Sequence, residues 1–175
     1  MKPVDPCGLK RALLINDLSC FGKCSLSVSL PILSAYGVEA VPLPTAVLST
    51  HTSGFTGYAS VDMTEALRRF PAHWAQLGLR FDCIAVGYCT SAEQLRLAAA
   101  LIRSLADEHT LVLHGAGDVF TSALCGELLS GKGPREALER AAGFCHRCIQ
   151  ETAKRQPGHW YGLAFEPALK GIWYE

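Results

Sequence analysis

Residues 110–126 read TLVLHGAGDVFTSALCG. A short apolar strand, 110–113, runs almost directly into Gly115-Ala116-Gly117-Asp118, and a helical stretch to about residue 129 follows. Glycines let a backbone approach an anion closely. The first helical turn adds N–H groups without partners and a partial positive charge. An acid placed there would repel a phosphate if holding an anion were its only task. Asp118 is better suited to take a proton from an attacking hydroxyl while the neighbouring amides stabilise the transferring group. The competing reading makes Asp118 a helix cap after a tight turn, and spacing alone does not separate the two.

The same grammar of strand, polar turn and helix extends toward the N-terminus. Residues 9–15 form an apolar run that ends in the pair Asn16-Asp17, as a buried parallel strand delivers polar groups at its C-terminal end. A polar turn over 19–23 contains Gly22, and a helix is expected over about 25–36, ended by Gly37 and kinked by Pro31. Residues 38–43 read as a second strand broken by Pro42 and Pro44, with 45–49 a further extended piece and 50–60 a loop. Asp62 and Glu65 match a capping box for a helix from Met63 to about 77, although Pro71 falls in its middle. Residues 81–88 give a third strand ending at Gly87-Tyr88. Ser91 and Gln94 make a second capping box, and Leu95, Ala98, Ala99 and Ile102 have helical spacing. Pro134 suits the first turn of a last long helix reaching about 154.

Strands alternating with helices predict an α/β fold: a mostly parallel sheet with helices on both faces, in a single domain over 9–170. Its parts are 9–113 on the substrate side and 115–170 with the glycine turn and C-terminal helices. Ligands on such a sheet sit at the C-terminal strand ends. Asp17, Thr50-His51-Thr52, Tyr88 and Asp118 all fall at or near such ends. That coincidence is the physical case for an active site.

Composition narrows the class. With 49% apolar and 18% charged residues over 175 positions, disorder and coiled coil are both poor readings. Sixteen basic residues balance sixteen acidic ones, so neither nucleic acid nor an anionic membrane has an electrostatic footprint to meet. No run approaches a membrane span or a signal-peptide core, and a cytoplasmic location is expected. The eight cysteines are read as reduced thiols. Cys145 and Cys148 share a helical stripe with Ala137, Ala141, Phe144 and Thr152, which points to packing and not to zinc. No metal-ligating set is expected. Cys20 and Cys24 flank the first turn, and a nucleophilic cysteine with His51 or His114 stays open.

Several separated stretches, in order, resemble one family. GAGDVFTSALCG at 115–126 resembles the G-[TA]-G-D signature that opens the catalytic helix of ribokinase-like kinases. INDLSCFGKCS at 15–25, PLPTAVLSTHT at 42–52 and FDCIAVGYCTSAEQ at 81–94 resemble the pyridoxal and pyridoxamine kinase branch of that superfamily. The run 134–167 resembles the family's C-terminal helix and trailing segment. The resemblance implies ATP- and Mg²⁺-dependent phosphorylation of the hydroxymethyl group of pyridoxal, pyridoxine or pyridoxamine, in vitamin B6 salvage to pyridoxal 5'-phosphate. It makes Asp118 the base and Gly115, Ala116 and Gly117 the anion hole. It places Asp17 against the pyridine ring, His51, Thr52 and Ser53 in the substrate loop, and Tyr88 at the pocket edge. It also implies a homodimer. A hydroxymethylpyrimidine kinase, which shares the fold and the turn, is one alternative. A non-catalytic remnant or binding module of the family is the other.

One departure matters. In the family, the strand matching 110–113 leads into an Asp-Pro loop, and further strands and helices supply much of the nucleotide site before the glycine turn. Here His114 alone separates Leu113 from Gly115. The fold is therefore expected to be internally shortened, with apolar faces exposed and most ATP and Mg²⁺ ligands missing.

Overall fold

The computed structural model describes residues 8–114, 117–155, 162–170 and 172. In chain order the elements are β1 (Arg11–Phe21), α1 (Leu26–Ala35), β2 (Glu39–Thr50), β3 (Ser60–Asp62), α2 (Thr64–Gln76) and β4 (Cys83–Val86). They continue with α3 (Ala92–Leu105), β5 (Leu111–His114), α4 (Asp118–Leu129), α5 (Pro134–Ala153) and α6 (Glu166–Leu169). The strands form one sheet in the order β3-β2-β1-β4-β5, parallel throughout except for β3, which runs antiparallel to β2.

β1 is central because its residues are apolar on both faces. Leu13 and Ile15 pack on one side with Leu67 of α2 and with Ala98, Leu101 and Leu105 of α3. Ala12 and Leu14 pack on the other with Leu26 and Leu33 of α1 and Cys125 of α4. Alternation with a period of two thus places helices on both faces, as a buried parallel strand requires. Behind that second layer, Ala141, Phe144 and Cys148 of α5 pack against Val119 and Ala123 of α4. No helix among the described residues is long and apolar enough to cross a membrane.

Three local expectations change. The second strand is continuous through Pro42 and Pro44. Glu39 N–H donates to Lys10 C=O on the β1 side at 2.8 Å, so alternation turns the two prolines' missing donors toward the opposite edge. β3 pairs only with 46–48 there, and no ladder bond is lost. Asp62 does not cap α2 as a box with Glu65. It lies in β3, and its Oδ1 accepts from Thr64 N–H at 2.9 Å while Met63 holds the cap position. In α3 the inward face is Gln94, Ala98, Leu101 and Leu105, and Leu95 is exposed. Gln94 can occupy a buried position because its amide is satisfied: Nε2 donates to Thr45 C=O at 2.8 Å, and Oε1 accepts from Thr90 N–H at 2.9 Å. The expected Ser91 cap does form, accepting from Gln94 N–H at 3.2 Å.

Beside the edge strand β5, Leu95, Ala99, Ile102 and Val112 line an apolar groove of about 350 Å³. β5 ends at His114 and α4 begins at Asp118, so the chain turns from the sheet edge directly into the helix that packs over β1 and β4.

The seating of α4 on α1 depends on Gly126. A Cβ there would lie 2.4 Å from Cγ of Tyr36, the residue that ends α1. Gly126→Ala is expected to destabilise the protein by about 1–3 kcal/mol through overpacking. Urea unfolding monitored by circular dichroism checks this, and an unchanged midpoint would show that α1 and α4 are not packed this closely.

Candidate functional site

Asn16 and Asp17 sit where β1 leaves the body of the sheet. The β1–β2 register shifts here, with Asn16 opposite Pro44 but Leu18 opposite Val47. One residue of β1 therefore faces two of β2, an irregularity that re-aims side chains. The two polar residues take separate tasks.

Asn16 is buried, and its carboxamide is a junction. Oδ1 accepts from Asp17 N–H at 3.0 Å and from Tyr88 N–H at 2.8 Å, while Nδ2 donates to Asp118 Oδ1 at 2.9 Å. Gly87 makes room for it, since a Cβ there would fall 2.4 Å from the Asn16 carboxamide. Tyr88 lies just past the end of β4, and its C=O accepts from the buried hydroxyl of Thr45 at 2.8 Å.

Asp118 opens α4 as its first residue, with Gly117 before it at φ 65°. It does not cap its own helix. Its Oδ2 accepts from the backbone N–H of Ser25, the N-cap of α1, at 2.5 Å. The cap reading is thus half right: the carboxylate satisfies an orphan N-terminal donor, but of another helix. Ser25 is the one described non-glycine residue with positive φ, at 53°, so this close approach is bought with backbone strain. Gly115 and Ala116, the other members of the expected anion hole, lie outside the described residues.

Asp17 is 3% exposed. Its Oδ1 accepts from Ser25 Oγ at 2.5 Å and its Oδ2 from Ser19 Oγ at 2.7 Å. It forms one wall of a cavity of about 550 Å³ that also meets His51, Thr52, Ser53 and Tyr88. The structure therefore brings all five residues expected from the sequence to bind substrate to one cavity. Asp118 lines a smaller adjoining cavity of about 70 Å³, with Asn16 and Gly117. Ser25 stands between the two spaces, bonded to a carboxylate on each side.

The His51 ring is fixed on three sides. Nδ1 accepts from Ser53 N–H at 3.1 Å, and the ring meets Phe55 edge-on at 4.9 Å between centroids. It also lies against Gly22, where any Cβ would overlap the imidazole and where φ is 103°. The opposite rim comes from far along the chain. Gly162 pairs with Lys23, and the Lys23 ammonium, 5.5 Å from the centre of the Phe165 ring, forms an ion pair with Glu166. That ammonium holds the Glu166 carboxyl below the usual carboxylate range, against the opposing effect of its partial burial.

Asn16, Ser19, Lys23, Ser25 and Gly162 are among the residues at this site that were absent from the sequence-based set. Asn16 was legible as half of a polar pair ending an apolar run, but nothing in the sequence assigned it the junction. Ser19 and Lys23 lie within the predicted turn and Ser25 at the expected start of the following helix, where only three-dimensional contacts reveal which side chains point inward. Gly162 carries no local signal, because its role is a contact with a residue 139 positions away.

The thiols are set by burial. It pushes Cys24 up, with Asp17 and Asp118 adding to the effect and hydrogen bonds from Ser19 and Ser25 opposing it. Cys83 is pushed up by its hydrogen bond with Cys125 and by burial. Cys148 is pushed up to about 12, mainly by burial on the inner face of α5, while Cys145 is half-buried. A nucleophilic Cys24 would need the opposite shift.

No family model matches the chain, and no curated protein matches it in sequence. Solved structures do. A provisionally assigned phosphomethylpyrimidine kinase of Bacteroides thetaiotaomicron superposes with a TM-score of 0.89 at 20% identity, over 97% of this chain and 96% of the other. A second crystal form of a Bacteroides protein so described, with pyridoxal, gives 0.87 at 21% identity, over 94% and 96%. Pyridoxal kinase of Lactobacillus plantarum gives 0.82 at 20% identity, over 94% and 96%. At these identities the likeness is one of fold: the ribokinase-like α/β architecture that the motifs implied.

If burial governs the thiols, alkylation by iodoacetamide at pH 8 should modify exposed Cys20 first among the described cysteines. Cys24 should follow more slowly, and Cys83, Cys125 and Cys148 only on unfolding. Peptide mass spectrometry reads the order, and Cys24 reacting as fast as Cys20 would contradict it.

Proposed function

We propose that the large cavity receives a six-membered nitrogen heteroaromatic ring bearing a hydroxymethyl group, and that Asp118 is the base toward that hydroxyl in phosphoryl transfer. The observation that carries this reading is the meeting of Asp17, His51, Thr52, Ser53 and Tyr88 on one cavity, one residue away from Asp118. Their donors, acceptors and aromatic face suit a hydroxylated, nitrogen-containing ring.

Within that class the weight moves from pyridoxal, the first expectation, toward hydroxymethylpyrimidine. Both Bacteroides structures carry a phosphomethylpyrimidine kinase description, and the one with pyridoxal keeps the B6 ring as the second choice.

The residues of this chain act in sequence. The cavity walls orient the ring. Asn16 holds one oxygen of Asp118, and Ser25 N–H holds the other. The lone pairs left on the carboxylate are what a hydroxyl proton from the cavity side would meet, at the N-terminus of α4.

ATP and Mg²⁺ would supply the phosphoryl group and its charge neutralisation. The described residues do not fit them. Among these residues no three His, Cys, Asp or Glu side chains are grouped to hold a metal. The groove beside β5 presents apolar side chains and Gly87, with no cation for phosphates. A base contributes only about 10²–10⁴-fold, so Asp118 does not make up for a missing donor site. The chain as given is therefore proposed to bind the ring and to turn it over little or not at all.

The test is calorimetric binding of hydroxymethylpyrimidine and pyridoxal, in competition, beside ATP-dependent formation of their phosphates with an Asp118→Asn control. Binding without turnover is expected. Turnover that the control abolishes would contradict the inactivity and place the nucleotide on another surface. Failure of both rings to bind would overturn the ring reading itself.

A further inference from the structure

A further cavity, of about 280 Å³, opens at the far ends of α1 and α4, away from Ser25 and Asp118. α1 is preceded by Ser25 on the large cavity and ends at Tyr36 on this one, so the two spaces lie roughly 16 Å apart along the helix axis.

Its wall holds a buried carboxylate. Glu127 is 4% exposed, and both its oxygens are taken: Oε1 accepts from the Tyr36 hydroxyl at 3.1 Å and Oε2 from Arg140 Nε at 2.8 Å. Glu127 and Arg140 are neutral as a pair, which leaves two more cations on the lining, Lys132 and Arg147. Lys132 has Glu136 at 3.5 Å, an exposed i,i+4 pair of the kind that contributes little. Arg147 stands two turns beyond Arg140 on the same face of α5. Its guanidinium lies 5.9 Å from the centre of the Phe144 ring, and among the described residues it has no ion pair. Burial and the neighbouring Glu127 push the Tyr36 hydroxyl up, and the charges of Arg140 and Arg147 oppose them, so both guanidiniums stand near that oxygen.

We propose that this cavity is a binding site for a small phosphoryl-bearing anion, either free phosphate or a phosphate monoester with a compact organic body. The two positive charges beyond the Glu127–Arg140 pair match a phosphate dianion. A guanidinium and an ammonium supply the charge-assisted hydrogen bonds that phosphate oxygens take. Ala35, the Tyr36 ring and Ile172 give the same cavity an apolar surface for the organic body. Its volume lies just below the roughly 300–1,000 Å³ of small-molecule sites, which limits that body to about one ring. The inference is independent of the ring-binding reading, because none of these residues lines the large cavity. The competing account gives the cations no ligand: they offset the C-terminal dipoles of α1 and α4 and do nothing more.

Calorimetry at neutral pH and low salt, with inorganic phosphate, phenyl phosphate and benzoate as probes, separates the two accounts. The variants are Lys132→Gln and Arg147→Gln, both outside the core, and Arg135→Gln. The last removes an equal charge from α5 at an exposed pair with Glu139, outside the cavity. The wild type should bind a phosphoryl probe roughly 10-fold more tightly than benzoate, or about 1.4 kcal/mol. That affinity should fall by roughly 10-fold in Lys132→Gln and in Arg147→Gln, and stay within about 2-fold in Arg135→Gln. Tighter binding of phenyl phosphate identifies an ester as the ligand, and equal or tighter binding of inorganic phosphate identifies the free anion. Benzoate bound as tightly as either would show a site without preference for phosphate. Equal losses in all three variants would show a general effect of charge. Unchanged affinity in Lys132→Gln and Arg147→Gln would place the anion elsewhere, and no binding by the wild type would leave the cations to the helix ends. Each of these four results overturns the inference.

Discussion

The bond from the Asn16 carboxamide to Asp118 is the contact on which the site depends. It joins the end of the central strand to the start of α4, across 102 positions of sequence. The other oxygen of Asp118 takes the first amide of α1, so one carboxylate ties β1, α1 and α4 together at a single point. Its geometry is protected on both sides. Gly87 leaves space for the Asn16 amide, and Gly126 lets α4 lie close against the end of α1. Remove the carboxylate and a buried amide and a helix N-terminus both lose an acceptor, a loss of about 1–3 kcal/mol for each orphaned donor.

This arrangement also explains how a chain so short between β5 and α4 can still form the cavity. The sequence-predicted residues on the large cavity come from β1, the loop after β2 and the end of β4, all of which precede the junction at His114. Among the described residues, only Gly162 arrives at it from beyond that junction, fixed by its pairing with Lys23 and by the Lys23–Glu166 ion pair. At β5, instead, an apolar groove lies open beside an edge strand. The large cavity and the region beside β5 are thus separable parts of the molecule.

Much of the fold was legible because it depends on periodicity. The apolar runs of β1, β4 and β5 read as parallel strands once helices alternated with them, although β5 is a partly exposed edge strand. The glycine turn before Asp118 marked the start of α4. What failed to show were features set by long-range contact. The prolines of β2 seemed to break a strand, because the sequence does not say which edge carries their missing donors. Gln94 looked like a cap residue alone, whereas three elements supply acceptors that make it a core residue. Of the candidate site, the polar residues at strand ends were legible and the residues that hold them were not. Asn16 lies beside Asp17, yet only the structure gives it Asp118 and Tyr88 as partners.

A double-mutant cycle on Asn16→Ala and Asp118→Ala tests the central contact most directly. Urea unfolding of the wild type, both single variants and the double variant yields the coupling between the two side chains. Because they are hydrogen-bonded in a largely buried setting, the interaction energy should be about 0.5–3 kcal/mol, with the double variant less destabilised than the sum of the singles. Single effects that add to within about 0.3–0.5 kcal/mol would show that Asn16 does not hold Asp118, and that the start of α4 is placed by packing alone.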